Sequence, residues 1–278
     1  MVDSLAMMTA LRDTSWPHDA SWIARLLEFD RDGDTFLAPQ VTSGPAHRLF
    51  GGLIAAQALG AAGATVDPDK RAQSLHAYFV RGGKYGIDVE LEVERTRDGR
   101  SFDTRRVTAI QEGKAILEMI ASFHRPEDSA DWHPARPPAL AFEDAVPKAP
   151  DLEAVDRLEV RCHPDDLSPF AIPPFWIRSR DVIEDDPLIR ACMLTYMSDL
   201  GPVPAARPAG APDEPGAGMA ASLDHSVWFH RPFDPHRWHR YEVTGVNNSD
   251  ARGLAVGSLY DDAGALIAST TQEALWRF

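Results

Sequence analysis

The chain has 278 residues, enough for two domains of ordinary size, each able to bury its own core. Hydrophobic content of 44% and charged content of 25% are those of a globular protein, and a net charge of −14 argues against a nucleic-acid partner, because phosphate backbones require a basic face. Two cysteines without metal-ligand or disulfide-scaffold spacing, an acidic N-terminus and no apolar run of membrane-spanning length predict a cytoplasmic protein that does not enter a membrane.

In chain order, residues 26–39 (LLEFDRDGDTFLAP) read as a strand pair around a turn at Asp32, Gly33 and Asp34. Residues 51–66 (GGLIAAQALGAAGATV) are nearly all small and apolar, so they predict a helix with no polar face, buried on most sides. Strand-like runs follow at 72–80, 87–97, 102–111 and 115–124, with turn signals at Asp98-Gly99 and Glu112-Gly113. Residues 126–156 are proline-rich; prolines remove backbone donors and fix φ, so most of this stretch reads as a connection. The plan then repeats: strands at 158–162 and 175–178, a helix at 187–199 with Pro187 in its first turn, and strands at 220–230, 241–246, 253–260 and 266–276. Residues 202–218 (PVPAARPAGAPDEPGAG) predict a mobile loop, being too long and too Pro/Gly-rich for a packed connection.

The two halves also share sequence. SLHAYFVR from Ser74 is matched by SLDHSVWFHR from Ser222, and GKAILEMIASFHR from Gly113 by GALIASTTQEALWR from Gly264. Both pairs are roughly 150 residues apart, the scale of one domain. A duplicated domain follows, with boundaries at 1–125, a linker at 126–156 and a second domain at 157–278. One buried helix followed by a long antiparallel meander, done twice, predicts an α+β fold in which each sheet wraps its helix: a tandem double hotdog.

The runs RLFGGLIAAQAL, SLHAYFVRGG, TRDGRSFDTRRVTAIQEGKAI, LDHSVWFHRPF and ARGLAVGSLYDDAGALIASTTQEA resemble, in order, the TesB-type acyl-CoA thioesterases. The resemblance implies hydrolysis of fatty-acyl-CoA by an activated water, without metal or organic cofactor, in a protein that associates with copies of itself. It places the family's Asp at Asp199 in TYMSD, its hydroxyl at Ser222 in SLDHS (Ser where Thr is common) and its Gln at Gln272 in TTQEA. Taken singly, each has an ordinary reading: an Asp near a helix end is usually solvated, and Ser or Gln on a strand usually decorates the ladder. Their joint occurrence in the family's order favours the catalytic reading.

A thioester hydrolase needs a held water, a base and donors for the developing oxyanion. Asp199, flanked by Met197 and Leu200, suits the base, and Ser222 and Gln272 can each donate and accept around one water. The glycine pair Gly51 and Gly52 would let a substrate approach backbone N–H groups at a helix N-terminus, although such a pair equally serves as a plain turn. His76 is a further substrate-side candidate, more ordinarily a satisfied core histidine. Coenzyme A phosphates on an acidic protein call for local arginines, for which Arg105, Arg106, Arg231 and Arg252 are the candidates. Asp224, His225 and Ser226 carry the letters of a hydrolytic triad, but strand neighbours point to opposite faces and cannot converge. The histidines 225, 230, 236 and 239 are too scattered to read as a metal site. Two other classes stand beside hydrolysis: a non-catalytic acyl-CoA binding protein, which would bind without releasing thiol, and a hotdog enoyl-CoA hydratase, whose acid/base segment is not found here.

Overall fold

A computed structural model describes residues 22–40, 48–148, 157–166, 171–211 and 218–278. The first half holds a short helix α1 (Trp22–Leu26), the hairpin β1 (Asp30–Asp32) and β2 (Thr35–Ala38), helix α2 (Gly51–Gly63), and strands β3 (Arg71–Phe79), β4 (Val89–Asp98), β5 (Phe102–Gln111) and β6 (Lys114–His124). Leu26, expected in a strand, instead closes α1: Ile23 and Leu26, three residues apart, share one buried helical face. Helix α2 is buried from Gly52 to Ala62, as its composition predicts. Its one polar side chain, Gln57, donates to the carbonyls of Leu26 and Pro39 at 3.0 Å each and accepts from Gln40 at 2.7 Å, so the buried amide is not stranded.

The second half contains β7 (Val146–Lys148), β8 (Leu158–Cys162), β9 (Phe175–Ser179), helix α3 (Pro187–Ser198), a short helix α4 (Pro202–Ala205), and strands β10 (Met219–Ser222), β11 (Asp224–Phe229), β12 (His239–Ser249), β13 (Arg252–Asp261) and β14 (Leu266–Arg277). One expectation, the loop at 202–218, is corrected here, and the linker holds one short strand. The proline-rich linker contributes β7, and its Leu140 and Ala145 pack with Phe142, Trp176 and Trp238, the Trp176 indole donating to the Leu140 carbonyl at 3.0 Å. The predicted loop at 202–218 begins as helix α4, with Ala206 buried behind it; residues 212–217 lie outside the described residues.

All the strands form one sheet in the order β1-β2-β4-β5-β6-β3-β11-β14-β13-β12-β9-β8-β7, with β10 also on β14. The halves join where β3 and β11 pair antiparallel, with His76 opposite Ser226. Each half repeats the other down to single hydrogen bonds. The N–H groups of Val80 and Arg81 both donate to the Ile116 carbonyl, and those of His230 and Arg231 both donate to Ile267. The guanidiniums of Arg81 and Arg231 reach the preceding carbonyls, Ala115 and Leu266. The ladder irregularity between Ala72 and Ser74 recurs as the break at Leu223 between β10 and β11. Register therefore matches Ser222 with Ala72, His225 with Leu75 and Gln272 with Ala121.

Helices α2 and α3 lie against one another within the sheets, each end of one near the opposite end of the other. At one such meeting, between the α2 start and the α3 end, polar groups gather. At the other a Cβ on Gly63 would stand 2.3 Å from Leu188 Cδ1, an apolar contact. The Gly63 end has polar groups of its own, Thr65 bonded to Arg105 and Asp186 capping α3, but these serve the helix ends and strand carbonyls around them. Among the described residues no helix is long and apolar enough to cross a membrane.

Candidate active site

Helix α3 is fixed at its start by Asp186, whose carboxylate accepts from the N–H groups of Leu188 and Ile189 at 2.8 and 3.0 Å, with Pro187 in the first turn. Its other end delivers Asp199, the C-cap residue, to the N-terminus of α2, where the N-cap residue Phe50 offers no side-chain hydrogen bond. There Asp199 Oδ2 accepts from the Gly52 N–H at 2.7 Å. The glycine pair makes this approach feasible: a Cβ on Gly51 would lie 3.0 Å from Asp199 Oδ2, and one on Gly52 would lie 2.9 Å from Asp199 Cβ and 2.8 Å from the Tyr196 carbonyl. The Gly52 N–H, expected as an oxyanion donor, is thus occupied in holding the carboxylate.

Burial pushes the Asp199 carboxyl up to about 7, against the Gln272 amide and the Gly52 N–H, which both favour the charged form. Gln272 lies buried on β14, and its Nε2 donates to Ser222 Oγ on the neighbouring β10 at 2.7 Å. Asp199, Gln272 and Ser222 therefore meet, with Gln272 between the other two. Asp199 Oδ1, Gln272 Oε1 and His225 Nδ1 are buried without a regular hydrogen bond, each a cost of about 1–3 kcal/mol that structural sites avoid.

Two further groups adjoin this set: His225, named in the sequence only as part of a triad or metal set, and Tyr241, which no motif singled out. His225 is fully buried, with Nε2 2.8 Å from Ser198 Oγ, and burial lowers its pKa to about 4, leaving the ring neutral. Tyr241 donates to the Ser198 carbonyl at 2.8 Å and pairs with Thr270 Oγ1 at the same distance. The divergence of Asp224, His225 and Ser226 holds, yet strand alternation offered a signal: His225 shares its inward face with Val227.

The remaining candidates do not join the site. Arg105, expected to meet phosphates, is fully buried and spends all five donors on Thr65 Oγ1, Asp98 and the carbonyls of Thr65, Arg97 and Thr104. That expectation is overturned: Arg105 shares the inward face of β5 with Asp103, Val107 and Ala109. Arg105→Met should lower the melting temperature, at a cost of about 3 kcal/mol from stranded acceptors, while kcat/KM measured below the transition stays at the parent level. His76 is exposed rather than a core histidine, bonding Ser226 Oγ at 3.1 Å with Trp228 edge-on to its ring. Arg231 pairs with Asp131, Arg252 with Asp250 and Glu273, and Arg106 with Glu118.

This fold is a tandem hotdog: a protein described as having a hot dog fold from Alicyclobacillus acidocaldarius matches it with a TM-score of 0.73 at 18% identity, over 93% of this chain and 99% of that one. Closer comparisons define the class further. Models of the acyl-CoA thioesterase N-terminal and C-terminal domains match residues 39–124 and 126–276. Human acyl-coenzyme A thioesterase 8 is 35% identical over 84% of this chain and 82% of its own length, and Haemophilus influenzae acyl-CoA thioesterase 2 is 32% identical over 92% and 97%. The acyl-CoA thioesterase II TesB2 of Mycobacterium marinum matches with a TM-score of 0.79 at 34% identity, over 92% of this chain and 98% of that one. A double-hotdog thioester hydrolase is the class these matches define. Within it, the chain belongs to the TesB-type acyl-CoA thioesterase family.

Proposed function

We propose that this hydrolase cleaves fatty-acyl-CoA to a free fatty acid and CoA by attack of one water held at Asp199, Ser222 and Gln272. The observation that carries the reading is the buried chain of contacts from Gly52 through Asp199 and Gln272 to Ser222. Asp199 Oδ1, free of hydrogen bonds, would accept a water proton. Ser222 Oγ accepts from Gln272 and so turns its own proton outward, suited to donate to the same water. In the reaction the water oxygen bonds the thioester carbon, its proton passes to Asp199, and the carbon–sulfur bond breaks to release CoA thiolate, which recovers that proton. A carboxyl poised near 7 balances ionisation against basicity at neutral pH.

The relatives' names support acyl-CoA as substrate. The test is release of free thiol from acyl-CoAs of graded length, with Ser222→Ala beside the parent. The expected result is a kcat about 10- to 100-fold lower at similar KM for Ser222→Ala, since one water-orienting hydroxyl is lost. Tight binding without thiol release by the parent, or undiminished turnover by Ser222→Ala, would sink the proposal.

A further inference from the structure

His225 and Gln272 occupy opposed inward positions on neighbouring strands. Ser226 pairs with Thr271, so one step further along the ladder His225 faces Gln272, and both side chains are buried. Opposed side chains of an antiparallel pair start about 5 Å apart at Cβ, within reach of a hydrogen bond between an imidazole and a carboxamide. Each presents one buried atom lacking a regular partner, His225 Nδ1 and Gln272 Oε1.

The amide of Gln272 has two orientations, and its surroundings allow one. Nε2 donates to Ser222 Oγ at 2.7 Å, and the amide favours the charged form of Asp199, as a donor does. Flipping it would set Oε1 against that carboxylate, acceptor against acceptor. Oε1 is left for the imidazole side. A neutral ring carries one N–H, and its placement decides the contact. With the proton on Nε2, the bare Nδ1 would oppose Oε1 and both would stay unsatisfied. With the proton on Nδ1, Nε2 accepts from the Ser198 hydroxyl, 2.8 Å away, and Nδ1 donates to Oε1. Only this second arrangement satisfies both atoms. In the first half the corresponding pair is Leu75 and Ala121, so ring and amide are absent together.

We infer that His225 is a positioning residue for the hydrolysis: its Nδ1–H holds Gln272 Oε1 and so aims the Gln272 amino group at Ser222 and Asp199. The inference rests on the water-holding reading of Asp199, Ser222 and Gln272. It is tested by kcat and KM for thiol release in His225→Leu, His225→Asn and His225→Gln, each alone and combined with Gln272→Ala. His225→Leu should lower kcat about tenfold or more with KM little changed. His225→Asn, whose Nδ2–H falls near the place of Nδ1–H, should recover most of that loss. His225→Gln, whose amide reaches toward Ser198 in place of Nε2, should not. In the Gln272→Ala background the His225 substitutions should cost less than about twofold more, because a residue acting through Gln272 has nothing left to position.

Recovery by Gln and not by Asn would overturn the inference and leave His225 as a support for Ser198. So would a full additional loss in the Gln272→Ala background. If His225→Leu does not fold, the two amide variants, both polar at the same site, decide the matter by their order. Parent-level turnover in Gln272→Ala alone would remove the water-holding reading, and this inference with it. Lost turnover there with the wrong order among the His225 variants removes only the inference.

Discussion

Asp199→Asn is expected to lose about 10²–10⁴-fold in kcat, the range for removing a general base, and yet to unfold at a higher temperature than the parent at pH 8. The second half follows from the sign of the shift. Burial raises the Asp199 pKa from 3.8 to about 7, so the folded protein holds a proton that the unfolded chain releases between those values. Below pH 4 both states are protonated and the group costs nothing. As pH rises through that window stability falls, and above 7 the full cost, roughly 4 kcal/mol from that shift, is in place. Asn carries no charge and escapes it, less the burden of a buried amino group that needs a partner. The melting temperatures of parent and variant should converge near pH 4 and separate by pH 8. A variant less stable than the parent at pH 8 would contradict the desolvated carboxylate. The same shift sets the rate profile: the parent's kcat/KM should fall on the acid side of about pH 7, as the base takes up its proton.

The second large effect is expected at Gly52→Ala. The added methyl would stand 2.8 Å from the Tyr196 carbonyl and 2.9 Å from Asp199 Cβ. The carbonyl belongs to the backbone of α3 and cannot rotate away, so the α2 N-terminus must move off the α3 end. Overpacking of this kind costs about 1–3 kcal/mol. It also lengthens the Gly52–Asp199 hydrogen bond, one of the two contacts that favour the ionised carboxylate. The expected result is a kcat lowered by about 10- to 100-fold at neutral pH, with the acid limb of the rate profile moved to higher pH. Gly51→Ala is the comparison: its contacts, 2.9 Å to the Phe79 ring and 3.0 Å to Asp199 Oδ2, are all with side chains and none with the α3 backbone, so a smaller loss is expected. A Gly52→Ala enzyme with parent-level kcat and an unmoved pH profile would show that the helix end does not tune the base.

Much of the architecture was legible from local pattern. The unrelieved apolar character of residues 51–66 required burial, and the Glu112-Gly113 turn, with φ of 50° and 70°, is the tight hairpin its letters predicted. Strand parity also places Arg105 and His225, since each alternates in phase with an inward valine, at 107 and 227. The partners of Arg105 are not legible in the sequence: a charged residue on a strand is ordinarily solvated, and nothing local reveals that Thr65 and Asp98 await it.

By itself, then, the amino-acid order determined the two repeated halves, the buried helix in each and the sheet strands that follow, because these depend on periodicity and turn chemistry within a few residues. It also carried the three family positions, 199, 222 and 272, through their surrounding motifs. Only the tertiary structure decided that the end of one helix meets the start of the other, across 147 residues of chain between Gly52 and Asp199. That contact arises from packing two helices inside joined sheets, and no local propensity encodes it. The raised pKa of Asp199 and the proton placement inferred for His225 follow from that packing, since each depends on which groups exclude water from which others.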